Sequence, residues 1–386
     1  MNAASLPLAD VGTPPSPARY FMIGGFLGAG KTTAVAALAQ RLVRDGLRVG
    51  LITNDQGSEL VDTAMLRARG FATEEIAGGC FCCRFQSLVD AARKLDTASR
   101  PDAFVAEPVG SCTDLVATVT YPLRRMYGDR FRIAPLSVLV DPVRAEQVLG
   151  LAPARRFSDK VLYIWRKQAE EADLLVISKA DVVEPGRMAR LREALARDFP
   201  GRDILEVSAR TGLGLDAWFG RLMGGVQGMR ASMEVDYDLY ADGEALLGWL
   251  NATVALRGPA FDPNALLRGL ADDVRRRLGD AEVAHLKMTF SPEDGLGDIA
   301  SVSLVRSDFV PELGLVLDGT SEAGQLILNL RAEAAPGLLR EAVEGAVAVL
   351  PSAFPGLSAR LEHAEQFRPG RPVPTHRDLQ PCPSPT

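Results

Sequence analysis

The segment Gly25-Phe-Leu-Gly-Ala-Gly-Lys-Thr-Thr33 fits GxxxxGK[ST], a pattern whose chemistry needs a strand before it and a helix after it. Its glycines let successive backbone N–H groups curl around a phosphate without Cβ clashes, and the helix start adds partial positive charge. Both neighbours are legible. Tyr20-Phe-Met-Ile23 is a short apolar run that predicts a strand. Val35, Leu38, Ala39, Leu42 and Val43 recur at three- and four-residue spacing before Gly46, which predicts a helix and its stop. Gly25, Gly28, Ala29, Gly30, Lys31, Thr32 and Thr33 are therefore candidate phosphate ligands. Lys31 is suited to the β- and γ-phosphates and Thr32 to Mg²⁺. A ligand-free glycine turn is the alternative, and the agreement of strand, loop, Lys-Thr and helix weighs against it.

With 386 residues, two domains are expected rather than one core. Continuous apolar runs at Tyr20–Ile23, Val49–Thr53, Phe104–Ala106, Leu136–Val140, Leu174–Ile177 and Ile204–Val207 alternate with helical stretches such as Met188–Phe199. Runs of this kind suit strands covered on both faces. The pattern predicts an α/β fold, a P-loop doubly wound and mostly parallel sheet. It breaks near Gly224, Gly225 and Gly228. Beyond lie a strand or helix near Leu246–Leu256, a helix over Pro263–Leu278, strands at Val283–Phe290, Ala300–Val305 and Gln325–Leu330, and a helix over Pro336–Val349. Grouped strands flanked by helices predict a smaller C-terminal α+β domain. The expected boundaries are a leader over 1–18, the P-loop domain over 19–228, the second domain over 229–366 and an extended proline-rich tail over 367–386.

The net charge of −6 gives no reason to expect nucleic acid. No apolar run approaches the ~20 residues that cross a bilayer, so no membrane partner is expected. Residues 1–18 combine Pro7, Pro14, Pro15 and Pro17 with neither a basic start nor an apolar centre, unlike a signal peptide. A cytoplasmic location follows as an expectation, and five cysteines in such a chain do not suggest a disulfide framework.

Ligands of a doubly wound sheet bind beyond the carboxyl ends of its strands. Ser178-Lys-Ala-Asp181 stands there and resembles the NKxD base-reading motif of GTPases, with Ser178 at the Asn position. The Asp181 carboxylate can accept guanine N1–H and N2–H₂, a donor pair adenine lacks. Ser208-Ala209-Arg210 resembles the SAK loop that meets guanine O6. Glu107 ends a strand and Gly110 follows, so the acid can hold Mg²⁺ and the glycine can sense the γ-phosphate. Asp55, after Asn54, offers a second carboxylate for the same ion or for orienting water. Each acid can equally be a helix N-cap or a solvated loop residue. Lys31, Asp55 and Glu107 are the candidate catalytic groups, and no arginine finger is apparent.

Gly78-Gly79-Cys80-Phe81-Cys82-Cys83 concentrates three of the five cysteines. Thiolates are soft ligands that favour Zn²⁺, Cu(I) and other thiophilic ions. Three sulfurs leave one position of a tetrahedral ion open, which suits release. A buried apolar patch or a redox pair is the alternative. The trio lies between Asp55 and Glu107, so movement of either loop on hydrolysis would move the sulfurs. Cys112 is expected to be a buried bystander, Cys382 inert and His285 a packed histidine rather than a ligand. Arg368, Arg371 and Arg377 suit either a partner or a solvated tail.

Together these residues resemble the CobW/HypB/UreG-type metallochaperone GTPases of the SIMIBI class, CobW-like branch. The likeness rests on Gly25–Thr33, Asn54-Asp55 with Gly57 and Asp62, Cys80–Cys83, Glu107 with Gly110, Gln168 with Ala172-Asp173, Ser178–Asp181 and Ser208–Arg210. It implies GTP hydrolysis with Mg²⁺, a nucleotide-dependent homodimer and delivery of metal to a client metalloprotein. By that likeness Lys31, Thr32, Asp55 and Glu107 serve phosphate and Mg²⁺, and Cys80, Cys82 and Cys83 hold transported Zn²⁺ or Co²⁺. Ala284-His-Leu-Lys-Met288 and Leu326-Ile-Leu-Asn-Leu-Arg331 look similar to GTPases that accompany corrinoid methyltransferases, so a corrinoid protein is a second candidate client and activation of a cobalt or iron enzyme a second function. A P-loop kinase or ATPase, or a non-catalytic metal-binding regulator, are the alternatives of another class.

Overall fold

The computed structural model describes residues 16–56, 61–153, 157–295 and 297–381. The leader over 1–15, Gly57 and Cys382 lie outside them. Eight strands form the first sheet: β1 (Ala18–Gly25), β2 (Val49–Asn54), β3 (Thr73–Ile76), β4 (Ala103–Glu107), β5 (Phe131–Ile133), β6 (Ser137–Val140), β7 (Leu174–Ile177) and β8 (Asp203–Glu206). Their order is β3-β2-β4-β1-β6-β7-β8, all parallel, with β5 beside the first half of β1. The predicted α/β class and all six predicted strands are present. β3 and β5 were not expected: Thr-Glu-Glu-Ile is a polar edge segment, and Phe-Arg-Ile is too short to show a pattern.

Side chains alternate across β1. Phe21 and Ile23 pack with Leu38, Leu42 and Trp218 on one face, and Tyr20 and Met22 pack with Phe85, Leu88 and Phe104 on the other. The second core also contains Cys80, Cys82 and Cys112. The helix over Lys31–Arg44 buries Ala34, Val35, Leu38, Ala39 and Leu42, as its periodicity predicts.

The second sheet is antiparallel, in the order β12-β11-β10-β13-β9-β14, from β9 (Leu247–Phe261), β10 (Glu282–Pro292), β11 (Ala300–Leu304), β12 (Glu312–Leu315), β13 (Ser321–Glu333) and β14 (Ser358–Phe367). The segment near Leu246–Leu256 is thus a strand. β12 and β14 are edge strands missed by sequence reasoning, and β14 takes up Phe367, assigned above to the tail. One face of this sheet, with Leu250, Val254, Leu286, Met288, Leu328 and Leu330, packs on the helices Pro263–Arg277 and Pro336–Ala348. The alternate residues His285, Asn329 and Arg331 are polar and buried, and Lys287 is partly buried, because that face covers the first sheet's ligand end.

Contacts from this polar face bracket the segment after β2. Arg331 is fully buried, stacks on Trp249 at 4.0 Å and donates from Nη2 to both Asp55 carboxylate oxygens at 3.1 Å. Val61 N donates to Asn329 Oδ1 at 2.9 Å, and Lys287 Nζ donates to Asp62 Oδ1 at 2.5 Å.

Removing Asp55 strands a buried guanidinium. Asp55→Ala is expected to lower stability by about 3 kcal/mol, at the low end for a broken buried pair because the Leu250 and Leu330 carbonyls still accept from Arg331. Adding Arg331→Leu is expected to recover more than half of the loss in denaturant unfolding.

Candidate functional site

The glycine loop adopts a phosphate-cradling shape. Gly28 and Gly30 have φ of 78° and 88°, left-handed values that side chains disfavour. At Gly25 a Cβ would lie 2.3 Å from the Leu139 carbonyl oxygen, so only glycine lets β1 turn there. Gly30 is the N-cap of the helix that starts at Lys31, and Ala29 and Thr33 complete the loop. Lys31 Nζ donates to the carbonyls of Gly25 at 2.9 Å and Phe26 at 3.4 Å, folded over the loop it would share with phosphate. Burial lowers the Lys31 pKa, against the opposing pull of Glu107.

Thr32 Oγ1 lies 2.9 Å from Glu107 Oε1 and 2.8 Å from Asp62 Oδ1. Lys287 Nζ reaches the same hydroxyl at 3.3 Å. A hydroxyl between two carboxylates is an oxygen donor set for Mg²⁺. The fit is supported by Glu107 Oε2, which is buried without a hydrogen-bond partner. Burial, then the Asp62 charge, pushes the Glu107 carboxyl up to about 7. Burial also opposes ionisation of Asp62, but Lys287 and Thr32 hold its carboxyl below the usual range. Asp55, expected on the same ion, is instead held by Arg331, and Asp62 takes the place beside Thr32. The reason is the polar face of the second sheet, whose guanidinium draws Asp55 away.

The base-reading segments converge as well. Ala180 N donates to Val207 O at 3.0 Å, which brings the loops after β7 and β8 together. Ser178 Oγ donates to the Val140 carbonyl at 3.1 Å, so the shorter hydroxyl still braces the loop. Lys179, left-handed at φ 51°, donates to Gly28 O at 2.9 Å and Asp141 Oδ2 at 2.8 Å, tying the base end to the phosphate end. Asp181 is paired with Arg210 at 2.5 Å. Burial acts against its ionisation, and Ser208 and Arg210 more than offset that. One cleft of about 750 Å³ is lined by Lys31, Thr32, Asp62, Glu107, Gly110, Asp181, Ala209 and Lys287.

The cysteine loop is tied to Asn54, a residue that lines this cleft. Cys80 Sγ is 2.8 Å from Cys82 Sγ and 3.3 Å from Cys83 Sγ, with 3.7 Å between the latter two. Asn54, next to Asp55, clamps the loop: Nδ2 donates to Ile76 O at 2.9 Å and Gly79 O at 2.7 Å, and Oδ1 accepts from Phe81 N at 2.9 Å. The neighbouring thiols, with Cys112 first and then Cys82 and Cys83, draw the Cys80 pKa well below its ordinary range against the effect of burial. Cys112 is buried, as expected. The tail is largely exposed but anchored on the cysteine loop. Thr375 N donates to Cys82 O at 2.8 Å, and Arg377 pairs with buried Asp114 at 2.7 Å.

Residues 19–205 match the family model described as CobW/HypB/UreG, nucleotide-binding domain. This part of the chain is similar to CobW/HypB/UreG-type nucleotide-binding domains. Curated relatives include the zinc chaperone CobW of a Sinorhizobium species, 28% identical over 204 residues, covering 45% of this chain and 54% of that protein. The zinc chaperone YjiA of Escherichia coli K12 is 27% identical over 188 residues, covering 47% and 55%. The chain spans about half the length of the curated relatives it matches. Among solved structures, the hydrogenase maturation factor HypB from Archaeoglobus fulgidus is 20% identical, covering 54% of this chain and 89% of that one, with a TM-score of 0.38. Zn(II)-bound YjiA GTPase from E. coli is 15% identical, covering 86% and 99%, with a TM-score of 0.34.

Around this domain, sequence reasoning missed Lys287, Asn329 and Arg331 as site residues. The signal was available: in His285-Leu-Lys287 and Asn329-Leu-Arg331 polar residues alternate with buried leucines, which marks one polar strand face. His285 Nε2 is buried without a partner, and burial followed by the Lys287 charge keeps the ring neutral.

Glu107 provides a test. Its raised pKa favours the folded state below the unfolded value, near 4.5, and that contribution is lost as pH rises through about 7. Without nucleotide or Mg²⁺, Glu107→Gln and wild type are expected to be equally stable at about pH 4, below the unfolded value. By pH 8 the variant is expected to be the more stable by up to about 3 kcal/mol, read from thermal unfolding.

Proposed function

We propose that this protein is a GTP-hydrolysing metallochaperone that couples its nucleotide state to the hold on a thiolate-bound Zn²⁺ and passes that ion to a client metalloprotein. The observation that carries the reading is the Asn54 clamp: one side chain, beside a phosphate-end loop, makes two hydrogen bonds to the cysteine loop and a third to Ile76, at the end of the strand that leads into it. Zn²⁺ fits the sulfur donors, and the curated relatives named above are described as zinc chaperones.

Thr32, Glu107 and Asp62 would hold Mg²⁺, which neutralises charge between the β- and γ-phosphates. Lys31 exchanges the Gly25 and Phe26 carbonyls for phosphate oxygens. Lys287 enters the same cleft from the second sheet, partly buried; burial opposes its ammonium form, and Asp62 and Glu107 more than offset that. It supplies in the same chain a cation that P-loop enzymes otherwise take from an arginine finger. Asp55, positioned by Arg331, is the carboxylate available to orient water. Asp181 leaves Arg210 to accept from guanine, and Ser208 and Ala209 line the base. Loss of the terminal phosphoryl group loosens the loops carrying Asp55 and Glu107, and the cysteine loop moves with them. A nucleotide-dependent homodimer is part of this proposal, with two nucleotide sites facing each other.

The test compares GTP and ATP hydrolysis. GTP is expected to turn over at least tenfold faster, an advantage that Asp181→Asn reduces, and Lys31→Ala and Lys287→Ala are each expected to lower kcat by about 10²-fold or more. Equal rates with the two nucleotides would favour a general ATPase or kinase. Undiminished activity of Lys287→Ala would remove the second sheet from the chemistry.

A further inference from the structure

The tail crosses the cysteine loop and is held there by three hydrogen bonds. Val373 N donates to Cys83 Sγ at 3.3 Å, Thr375 N to Cys82 O at 2.8 Å and Thr375 Oγ1 to Cys83 O at 3.2 Å. The His376 ring then stands edge-on to Phe85 at 4.9 Å, at the start of the helix that follows the cysteines. Pro369, Pro372 and Pro374 keep this segment extended. Pro369 and Pro372 are buried, whereas Arg371, Val373 and Thr375 are exposed.

Past this crossing lies an ion pair with one buried end. Arg377 Nε donates to Asp114 Oδ2 at 2.7 Å, and the Tyr237 hydroxyl donates to the same oxygen at 2.8 Å. The Arg377 guanidinium stands over the Tyr237 ring, 5.4 Å from its centre. Asp114 is 1% exposed and belongs to the loop after β4, which also carries Gly110. A carboxylate so deeply placed keeps its cation, because losing it would leave an uncompensated buried charge. Asp378 N donates to Ala117 O at 2.8 Å and Ser232 N to Leu379 O at 3.0 Å, which fixes the far side of the crossing.

We propose that residues 371–379 are a strap over the sulfur site, latched by Arg377 on Asp114, and that the trio exchanges with its surroundings only when the strap lifts. Cys80 and Cys82 are buried and Cys83 is half-buried, so Cys83 is the sulfur that an incoming acceptor meets first, and it is the sulfur the strap touches. The strap is built for local opening. A handful of hydrogen bonds and one ion pair hold it, with little apolar area, so it can come away while both sheets stay folded. Its latch shares a loop with Gly110, so a shift of that loop draws Asp114 from Arg377 and frees the strap. The bearing of the strap on metal release rests on the metallochaperone reading; its control of access to Cys83 does not.

The experiment measures alkylation of Cys83 by iodoacetamide in the metal- and nucleotide-free full chain, read by peptide mass spectrometry, for wild type, Arg377→Ala and Thr375→Pro. Labelling of a covered thiol tracks the population of the open form. Both variants are expected to label at least about tenfold faster, since each removes a charged or paired hydrogen bond of the strap. Transfer of bound Zn²⁺ to a chelator is expected to quicken by a similar factor. Unchanged alkylation in both variants, or unchanged transfer in both, would overturn the inference. Thr375→Pro removes a backbone donor at an exposed position, so it decides the matter even if Arg377→Ala, which leaves Asp114 unpaired, does not fold. A wild type that binds no Zn²⁺ would remove the metallochaperone reading, and the alkylation rates would still decide the strap.

Discussion

Three hydrogen bonds from the Asn54 carboxamide join two chemistries in one structure. A buried carboxamide has to satisfy its donors and acceptor, and here all its recorded partners belong to the segment that leads into and forms the cysteine loop. Were that segment free to move independently, Asn54 would be left with unpaired polar atoms in a dry interior, at a cost of about 1–3 kcal/mol for each. The sulfurs and the end of β2 are thus obliged to shift together.

The second sheet supplies what a bare nucleotide-binding domain lacks. Its partly buried Lys287 and buried Asn329 and Arg331 reach Asp62, Val61 and Asp55 respectively. A charge as deeply buried as that of Arg331 persists only when paired, so the sheet and Asp55 hold each other in place. The Lys287 ammonium stands beside the Thr32 hydroxyl and the Asp62 carboxylate, so the second sheet reaches the phosphate end of the cleft.

Much of this was legible in the sequence, and the remainder was hidden for identifiable reasons. Gly25–Thr33 declared the phosphate loop because backbone geometry there requires glycines at fixed places. Six of the eight strands in the first sheet were visible because burial on both faces leaves apolar runs; β3 was not, since an edge strand can carry Thr-Glu-Glu. Ser178–Asp181 and Ser208–Arg210 were found as strand-end motifs and do converge. Asp55 was expected on Mg²⁺, but its partner, Arg331, lies 276 residues away along the chain, and no local pattern encodes such a pairing. The tail looked merely extended, and its seat on the cysteine loop depends on backbone hydrogen bonds that any sequence can make.

The central claim is that nucleotide state and metal affinity are coupled through Asn54, and the most direct measurement is the Zn²⁺ dissociation constant with GDP and with a non-hydrolysable GTP analogue, for wild type and Asn54→Ala. The account predicts that the two nucleotides change wild-type affinity by about tenfold or more, and that the difference shrinks toward unity in Asn54→Ala while nucleotide binding persists. Equal affinities in wild type, or an undiminished difference in Asn54→Ala, would contradict it.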